Sequence, residues 1–124
     1  SLNRFRDFTY IEDTVDALIS SEFSEKSQNN TYNLSSGTKT SVKELINEIL
    51  ISFKLDNSYK INELPNTVGD SFGFHSDITK IKTDLNWEPK INLKEGLSKY
   101  SKWVKSIEHK NKLSDCHPFY INNS

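Results

Sequence analysis

The 124-residue sequence contains a single cysteine, Cys116, so an intramolecular disulfide is excluded. Nothing in the cysteine usage marks an oxidising compartment, and a cytoplasmic location is expected. Long hydrophobic runs are also missing, because the longest apolar stretch, residues 45–53, is interrupted by Asn47 and Glu48. A bilayer span needs about 20 predominantly apolar residues. The sequence therefore predicts no membrane partner.

Neither sign of charge is in excess. Sixteen Lys and Arg residues face 17 Asp and Glu residues, which gives a net charge of −1. Nucleic-acid-binding proteins depend on a cationic surface that displaces counterions from phosphates, so no nucleic-acid partner is expected. The content of Phe, Tyr, Ile and Leu is nevertheless high enough for a packed domain, and 124 residues suit one.

Glycine is scarce, with four residues, and no GxGxxG or GxxGxxG loop follows a predicted strand. A Tyr-x-x-x-Lys pair is absent as well, so no cofactor-binding and no catalytic residue is predicted within this sequence. The three histidines, His75, His109 and His117, lack the spacing of metal ligands. Cys116 beside His117 offers two ligands where zinc needs about four, and no metal site is predicted.

Hydrophobic periodicity predicts short strands alternating with helices. We expect strands at residues 8–11, 31–34 and 57–64, and a first helix from about Asp13 to Phe23. Three further helices have start signals: Ser41 with Glu44 in a capping box, Asp77, and Asn92 with Glu95. This order of elements is typical of the end of an open sheet, so the predicted fold class is α/β, of mixed α+β type, with helices on a short sheet.

Two positions are candidates for ligand recognition. Arg6 precedes a predicted strand and helix start, and its guanidinium suits a phosphate or carboxylate, although a surface ion pair with Asp7 or Glu12 is the alternative. Asp70 follows Gly69, and its carboxylate suits a pair of ribose hydroxyls, although a turn-stabilising role is equally consistent with the spacing.

The two tryptophans, Trp87 and Trp103, are predicted to lie in the core or at a helix contact. The turn at Ser35, Ser36 and Gly37 is predicted to need a positive φ at its glycine.

Four segments, in this order, match one family pattern: RDFTYIED at residues 6–13; TYNLSSG at 31–37 followed by SVKEL at 41–45; GD at 69–70 followed by DITK at 77–80 and LNWEP at 85–89; and EGL at 95–97 with Trp103. Together they resemble the extended short-chain dehydrogenases/reductases of the NAD-dependent epimerase/dehydratase family, and UDP-glucose 4-epimerase-like enzymes in particular. The resemblance covers about residues 6–107.

The resemblance implies that residues 1–110 form the C-terminal substrate-binding region of such an enzyme, with the end of a Rossmann-like sheet, and that residues 111–124 are a flexible tail. It assigns nucleotide-sugar contacts to three residues: Arg6 at the diphosphate, Asp70 at the ribose and Phe74 at the sugar pocket. NAD and the catalytic residues belong to the N-terminal Rossmann half in this family, so that half is an expected partner. A homodimer of the full-length enzyme is a further expectation.

Two positions depart from the family pattern. Thr67 stands where many members have an arginine, which would weaken a diphosphate clamp, and Asn86 replaces the usual glycine before the tryptophan. The function implied is 4-epimerisation of a UDP-sugar through a keto intermediate in the full-length enzyme, this part alone being inactive. A nucleotide-sugar 4,6-dehydratase fragment and a non-catalytic binding or scaffolding domain are the alternatives.

Overall fold

Seven short elements follow one another in the computed structural model, which describes residues 1–55, 59–63, 69 and 71–108. The order is β1 (Phe5–Arg6), α1 (Ile11–Glu22), a 3-10 turn (Glu25–Ser27), β2 (Thr40–Ser41), α2 (Val42–Phe53), α3 (Thr79–Leu85) and α4 (Leu93–Glu108). The strands pair antiparallel, with Phe5 opposite Ser41 and Arg6 opposite Thr40. The mixed α/β class with helices on a short sheet is confirmed.

The two strands of the described residues lie elsewhere than predicted. Residues 8–10 are not a strand, because the helix begins earlier than expected, at Ile11, and Tyr10 is its extended N-cap. Residues 59–63 form no strand either, and the rest of that predicted strand lies outside the described residues. The correct sheet involves only two residues from each strand, which is too short a pattern for period-two alternation to reveal.

The segment 31–34 keeps the burial pattern of a strand without being one. Thr31 and Asn33 are exposed, whereas Tyr32 and Leu34 are half-buried against the core. A strand requires a neighbour that completes its hydrogen-bond ladder, and no described segment pairs with this one. The alternation of exposed and half-buried side chains is therefore present as predicted. The strand prediction is wrong because the segment has no pairing partner among the described residues.

The core is small and centres on Trp87, as predicted. Ala17, Ile81 and Trp87 are each 3% exposed and form one cluster, which the partly buried side chains of Tyr32, Leu34, Ile78 and Leu85 surround. Trp103, in contrast, is 56% exposed and lies against the ring of Tyr100, so it is not a core residue.

The first helix presents its apolar stripe outward. This outer face of α1 consists of four exposed residues, each between 46% and 64% exposed: Ile11, Val15, Leu18 and Ile19. The buried side of α1 instead carries Ala17 and the carboxylate of Asp13. No helix in the described part of the chain is long and apolar enough to cross a membrane.

The other helices begin as the sequence predicts. Ser41 and Glu44 form a complete capping box, and Asn92 Oδ1 accepts a hydrogen bond from Glu95 N at 3.0 Å. Asp77 Oδ1 accepts from Thr79 N at 2.8 Å, although the N-cap position itself is Ile78. Helix α3 ends at Leu85, and its C-cap Asn86 has a φ of 50° and so takes the left-handed conformation that a glycine would supply at this position.

Candidate functional site

Two segments that are far apart in the sequence run side by side at the candidate site. Phe5 and Gly73 form an isolated parallel bridge, and Phe5 N donates a hydrogen bond to Phe72 O at 3.3 Å. The approach is close because position 73 has no side chain: a Cβ atom there would lie 2.5 Å from the Phe5 ring. β1 is thereby joined to the segment that follows Gly69.

Arg6 is held against this second segment by its guanidinium. Nη1 donates to Phe5 O at 2.8 Å and to Phe72 O at 3.5 Å, and Nη2 donates to Ser71 O at 3.4 Å. The guanidinium carbon lies 5.2 Å from the centre of the Phe74 ring, within the range of a cation–π contact. The side chain is therefore oriented by the protein before any ligand is considered.

Phe74 is largely exposed although the Arg6 guanidinium lies over its ring. Its side chain is 57% exposed, and Phe72 nearby is 62% exposed. The Phe72 ring meets the Phe5 ring edge-on, with centroids 6.0 Å apart. A cation with an aromatic face beside it is a surface suited to an anionic ligand that carries an apolar or sugar group.

The carboxylate of Asp7, the residue after Arg6, links β1 to the turn at Ser36 and to His75. Its side chain is 2% exposed, and Oδ1 accepts hydrogen bonds from Ser36 N at 2.7 Å and from Ser36 Oγ at 2.6 Å. Oδ2 lies 3.0 Å from His75 Nδ1. Burial raises the pKa of Asp7, but the hydrogen bonds from Ser36, together with those from Ser35 and His75, outweigh it and hold the pKa below its ordinary value.

Two of the three predicted site residues are brought together. Arg6 and Phe74 are in contact, whereas Asp70 lies outside the described residues, as does Thr67. The predicted cleft between Arg6 and Asp70 therefore stays a prediction. The acids proposed as ion-pair alternatives for Arg6 have other partners, because Asp7 binds Ser36 and His75, and Glu12 pairs with Lys99.

Sequence reasoning missed Asp7 and His75 as members of the site. The sequence suggests Asp7 only as an ion-pair partner of Arg6, and it suggests His75 only as a metal ligand, for which the spacing is wrong. The available signal was their equal offset from Arg6 and Phe74, since both pairs are separated by 68 positions. That signal becomes meaningful only once the parallel pairing of Phe5 with Gly73 is known.

The turn that receives Asp7 has the predicted form. Gly37 has a φ of +72°, and the turn places the N–H and hydroxyl of Ser36 on the carboxylate. Within the described ranges, no group of three or more His, Cys, Asp or Glu side chains is arranged to hold a metal ion.

An apolar hollow lies away from Arg6. This apolar groove, of about 520 Å³, is lined by residues of α2, of α4 and of the approach to α1, among them Phe8, Tyr10, Leu45, Leu97 and Trp103. It contains neither Arg6 nor Phe74 and has few polar groups. This groove therefore offers little to bind an anion.

The fold and sequence have clear relatives. The family model described as GDP-mannose 4,6 dehydratase matches residues 1–100. UDP-glucuronic acid decarboxylase 1 of Arabidopsis thaliana is 36% identical over 92 residues, which are 74% of this chain and 20% of the relative. The probable UDP-arabinose 4-epimerase 3 of the same plant is 35% identical over 106 residues, covering 84% of this chain and 25% of the relative.

Among solved structures, the UDP-glucose 4-epimerase of Thermotoga maritima with UDP-glucose superposes with a TM-score of 0.79 at 26% identity. The match covers 87% of this chain and 34% of the epimerase chain. This chain thus spans only about a fifth to a third of the length of these relatives. Since the family model covers most of its length, the chain belongs to the GDP-mannose 4,6-dehydratase family, within the extended short-chain dehydrogenases/reductases of the epimerase/dehydratase type.

Proposed function

We propose that this chain is the C-terminal substrate-binding portion of an NAD-dependent nucleotide-sugar epimerase that inverts carbon 4 of a UDP-sugar. The carrying observation is the placement of the Arg6 guanidinium 5.2 Å from the Phe74 ring on the edge of β1. The relatives that support this direction are a UDP-glucose 4-epimerase with UDP-glucose and a probable UDP-arabinose 4-epimerase.

In this proposal, the guanidinium of Arg6 binds the diphosphate and Phe74 borders the sugar. Arginine presents its N–H groups as a planar fork, and a fork pre-oriented by carbonyl contacts loses little freedom when phosphate oxygens share it. Asp70 would hold the ribose from the segment that begins after Gly69. The chain then supplies grip and orientation, so that binding energy far from the reacting carbon serves the chemistry there.

We place NAD on a part of the protein outside this chain. The residues present do not fit a dinucleotide, because the sequence has four glycines and no glycine-rich phosphate loop. NAD, where bound, supplies the hydride acceptor for oxidation of the sugar. No residue of this chain is assigned a proton or hydride step.

The Rossmann portion of a longer enzyme is the partner we propose for the outer face of α1. Four large apolar side chains on that face are about half exposed or more, which is typical of a surface that another part of a protein covers. The adjacent segment 31–34 has the exposure pattern of a strand and no strand partner in the described part of the chain. The relatives extend well beyond the matched region, which provides the chain needed to cover both features.

A buried donor adds to this argument. Trp87 is 3% exposed, and its indole Nε1 has no hydrogen-bond partner among the described residues. A buried N–H without an acceptor costs about 1–3 kcal/mol. Tyr32 and Leu34 pack against the same cluster, so a segment added beside residues 31–34 would approach this region of the core.

Titration with UDP tests the binding role. Wild type should bind UDP, and Arg6→Ala should bind it at least about tenfold more weakly because a charge-assisted pair is lost. Arg6→Lys should recover only part of the affinity, since a single ammonium replaces the fork. Arg4→Ala removes the other arginine of the sequence and is the matched control, with an affinity within about twofold of wild type. Equal affinities of wild type and Arg6→Ala would remove Arg6 from the site.

The coding sequence upstream of Ser1 tests the partnership. We expect it to encode GxxGxxG and Tyr-x-x-x-Lys, and the encoded portion should co-elute with this chain when the two are co-expressed. Leu18→Glu on the outer face should abolish co-elution, whereas Lys43→Glu on α2 should not. An upstream region without these motifs would favour the non-catalytic scaffolding alternative.

A further inference from the structure

Three successive residue pairs connect residues 5–7 with residues 73–75, all at the same offset. Phe5 forms the backbone bridge with Gly73, Arg6 lies against Phe74, and Asp7 binds His75. The order is that of a parallel pairing that continues past its single backbone bridge through side chains.

The register of this pairing determines which residue lies opposite Arg6. Successive side chains of an extended segment point to opposite faces, so the Arg6–Phe74 contact and the Asp7–His75 bond lie on opposite sides of the pairing. A slip by one residue would carry Phe74 away from Arg6. One backbone bridge specifies register weakly, so side-chain bonds across the pairing, such as Arg6–Ser71 and Asp7–His75, help to fix it.

The Asp7–His75 bond has the properties required for this. Asp7 is buried and anchored by both polar groups of Ser36, so its position is set independently of His75. An ionised carboxylate only accepts hydrogen bonds, so Nδ1 of His75 must carry the hydrogen. The bond therefore ties the segment 71–76 to a fixed point of the molecule.

We propose that His75 is a positioning residue that keeps Phe74 opposite Arg6 and so sets the affinity of the site for a nucleoside-diphosphate sugar. The inference rests on the proposed function and deepens it, because it concerns the same site. His75 touches no ligand in this account and acts through Phe74.

Charged groups surround the Asp7–His75 bond. Asp7 contacts Nδ1, and Asp77 and Lys82 line the same hollow as His75. The Thr79 side chain and backbone hydrogen bonds lower the pKa of Asp77, and that of Asp7 is also lowered. Asp7 is therefore an ionised acceptor at neutral pH, as the bond from His75 requires.

Two variants separate the roles. His75→Leu removes the donor, and His75→Asn retains an N–H close to the position of Nδ1. Both are made in a His109→Gln, His117→Gln background. In this background His75 is the only histidine, and each variant then replaces it. The background itself is the control and should bind as wild type does.

The contact is measured first, without ligand. The nuclear Overhauser effect between the Phe74 ring protons and the Arg6 side chain should be present in the background protein and in His75→Asn, and lost in His75→Leu. Its persistence in His75→Leu would overturn the inference. This reading stands whether or not the chain binds a nucleotide sugar, so failure of the proposed function and failure of this inference are distinguishable.

Binding of UDP-glucose is measured second. At pH 7, His75→Leu should bind about tenfold more weakly and His75→Asn within about threefold of the background. Recovery of affinity in His75→Asn distinguishes the hydrogen bond from the bulk of the side chain. Equal affinity of His75→Leu and the background, or equal weakening in His75→Leu and His75→Asn, would overturn the positioning role.

Discussion

Helices α1 and α2 have the same length, 12 residues, and both are amphipathic, but they are stabilised in opposite ways. α2 begins with a capping box made by Ser41 and Glu44, two residues of its own start. α1 has Tyr10 at its N-cap with no side-chain hydrogen bond there, and its buried Asp13 bonds to a segment almost eighty positions away. The comparison shows that a local cap marks where a helix begins, whereas tertiary contacts decide which face of it is buried.

The largest effect should come from Asp13, whose loss would break the tertiary hold on α1. Its side chain is 2% exposed, and its two oxygens accept from Lys90 N at 3.1 Å and Ile91 N at 3.0 Å. Asp13→Ala leaves two N–H groups unpaired, each costing about 1–3 kcal/mol, so unfolding free energy should fall by about 4 kcal/mol. Urea denaturation followed by circular dichroism measures it.

The matched control for this change lies one turn further along the same helix. Asp16 pairs with Lys90 Nζ at 3.1 Å, and its side chain is 44% exposed. Asp16→Ala should therefore cost no more than about 1 kcal/mol. Similar losses for the two variants would show that α1 is held by surface charge and not by the buried carboxylate.

The second prediction compares isoleucines on the two sides of the molecule. Ile81 is 3% exposed in the core, and Ile19 is 54% exposed on the outer face of α1. Ile81→Ala should lower the free energy of unfolding by about 3 kcal/mol through lost burial and a residual cavity, and Ile19→Ala by less than about 1 kcal/mol. Thermal and urea denaturation of both proteins gives the answer. A large loss at Ile19 would mean that the outer face is already covered in this chain, for example by self-association.

The third prediction concerns the local cap of α2. Ser41 Oγ accepts from Glu44 N at 3.1 Å, and Ser41→Ala removes this bond. The loss should be about 1 kcal/mol, measured by urea denaturation. A matched change at Ser98, inside α4, gives the comparison for a serine that is not a cap. Equal losses at the two positions would contradict the capping role.

The smallest effect should be the pH dependence of this cap. The hydrogen bonds from the Ser41 backbone N–H and then from its hydroxyl lower the pKa of Glu44. A lowered carboxyl pKa stabilises the folded state above the unfolded pKa, about 4.3, and the contribution is lost as pH falls through the folded value. The stability difference between wild type and Glu44→Gln should thus shrink when denaturation is repeated at pH 3.5 instead of pH 6. A difference that is constant with pH would refute the charged form of the box.

Helix starts and ends were predictable from sequence because their signals are local. The box at Ser41, the accepting Asn92 and the left-handed Asn86 all depend on residues within four positions. The direction of the α1 stripe was not predictable, because periodicity shows that a face is apolar and not what lies against it. The strand at β1 was missed for a similar reason, since its partners are residues 40–41 and residue 73.

The residues of the candidate site show the same difference between local signals and long-range contacts. Arg6 was a candidate from its charge and its position before a predicted helix start, whereas Phe74 came from the family resemblance, which carries long-range information that one sequence does not reveal. Asp7 was overlooked because a carboxylate beside an arginine is expected to pair with it, whereas here its oxygens bind Ser36 and His75. Which of several polar neighbours a side chain binds depends on the folded structure and is not encoded locally in the sequence.

The bare backbone at Gly73 has a consequence for the geometry of the proposed site. A methyl group there would lie 2.5 Å from the Phe5 ring, so alanine at this position requires a shift of the ring or of the two segments. The separation between Arg6 and Phe74 depends on that spacing, although neither residue would have changed. In the site that we propose, the absence of a side chain at position 73 thus helps to set the distance between Arg6 and Phe74, although Gly73 itself contacts no ligand there.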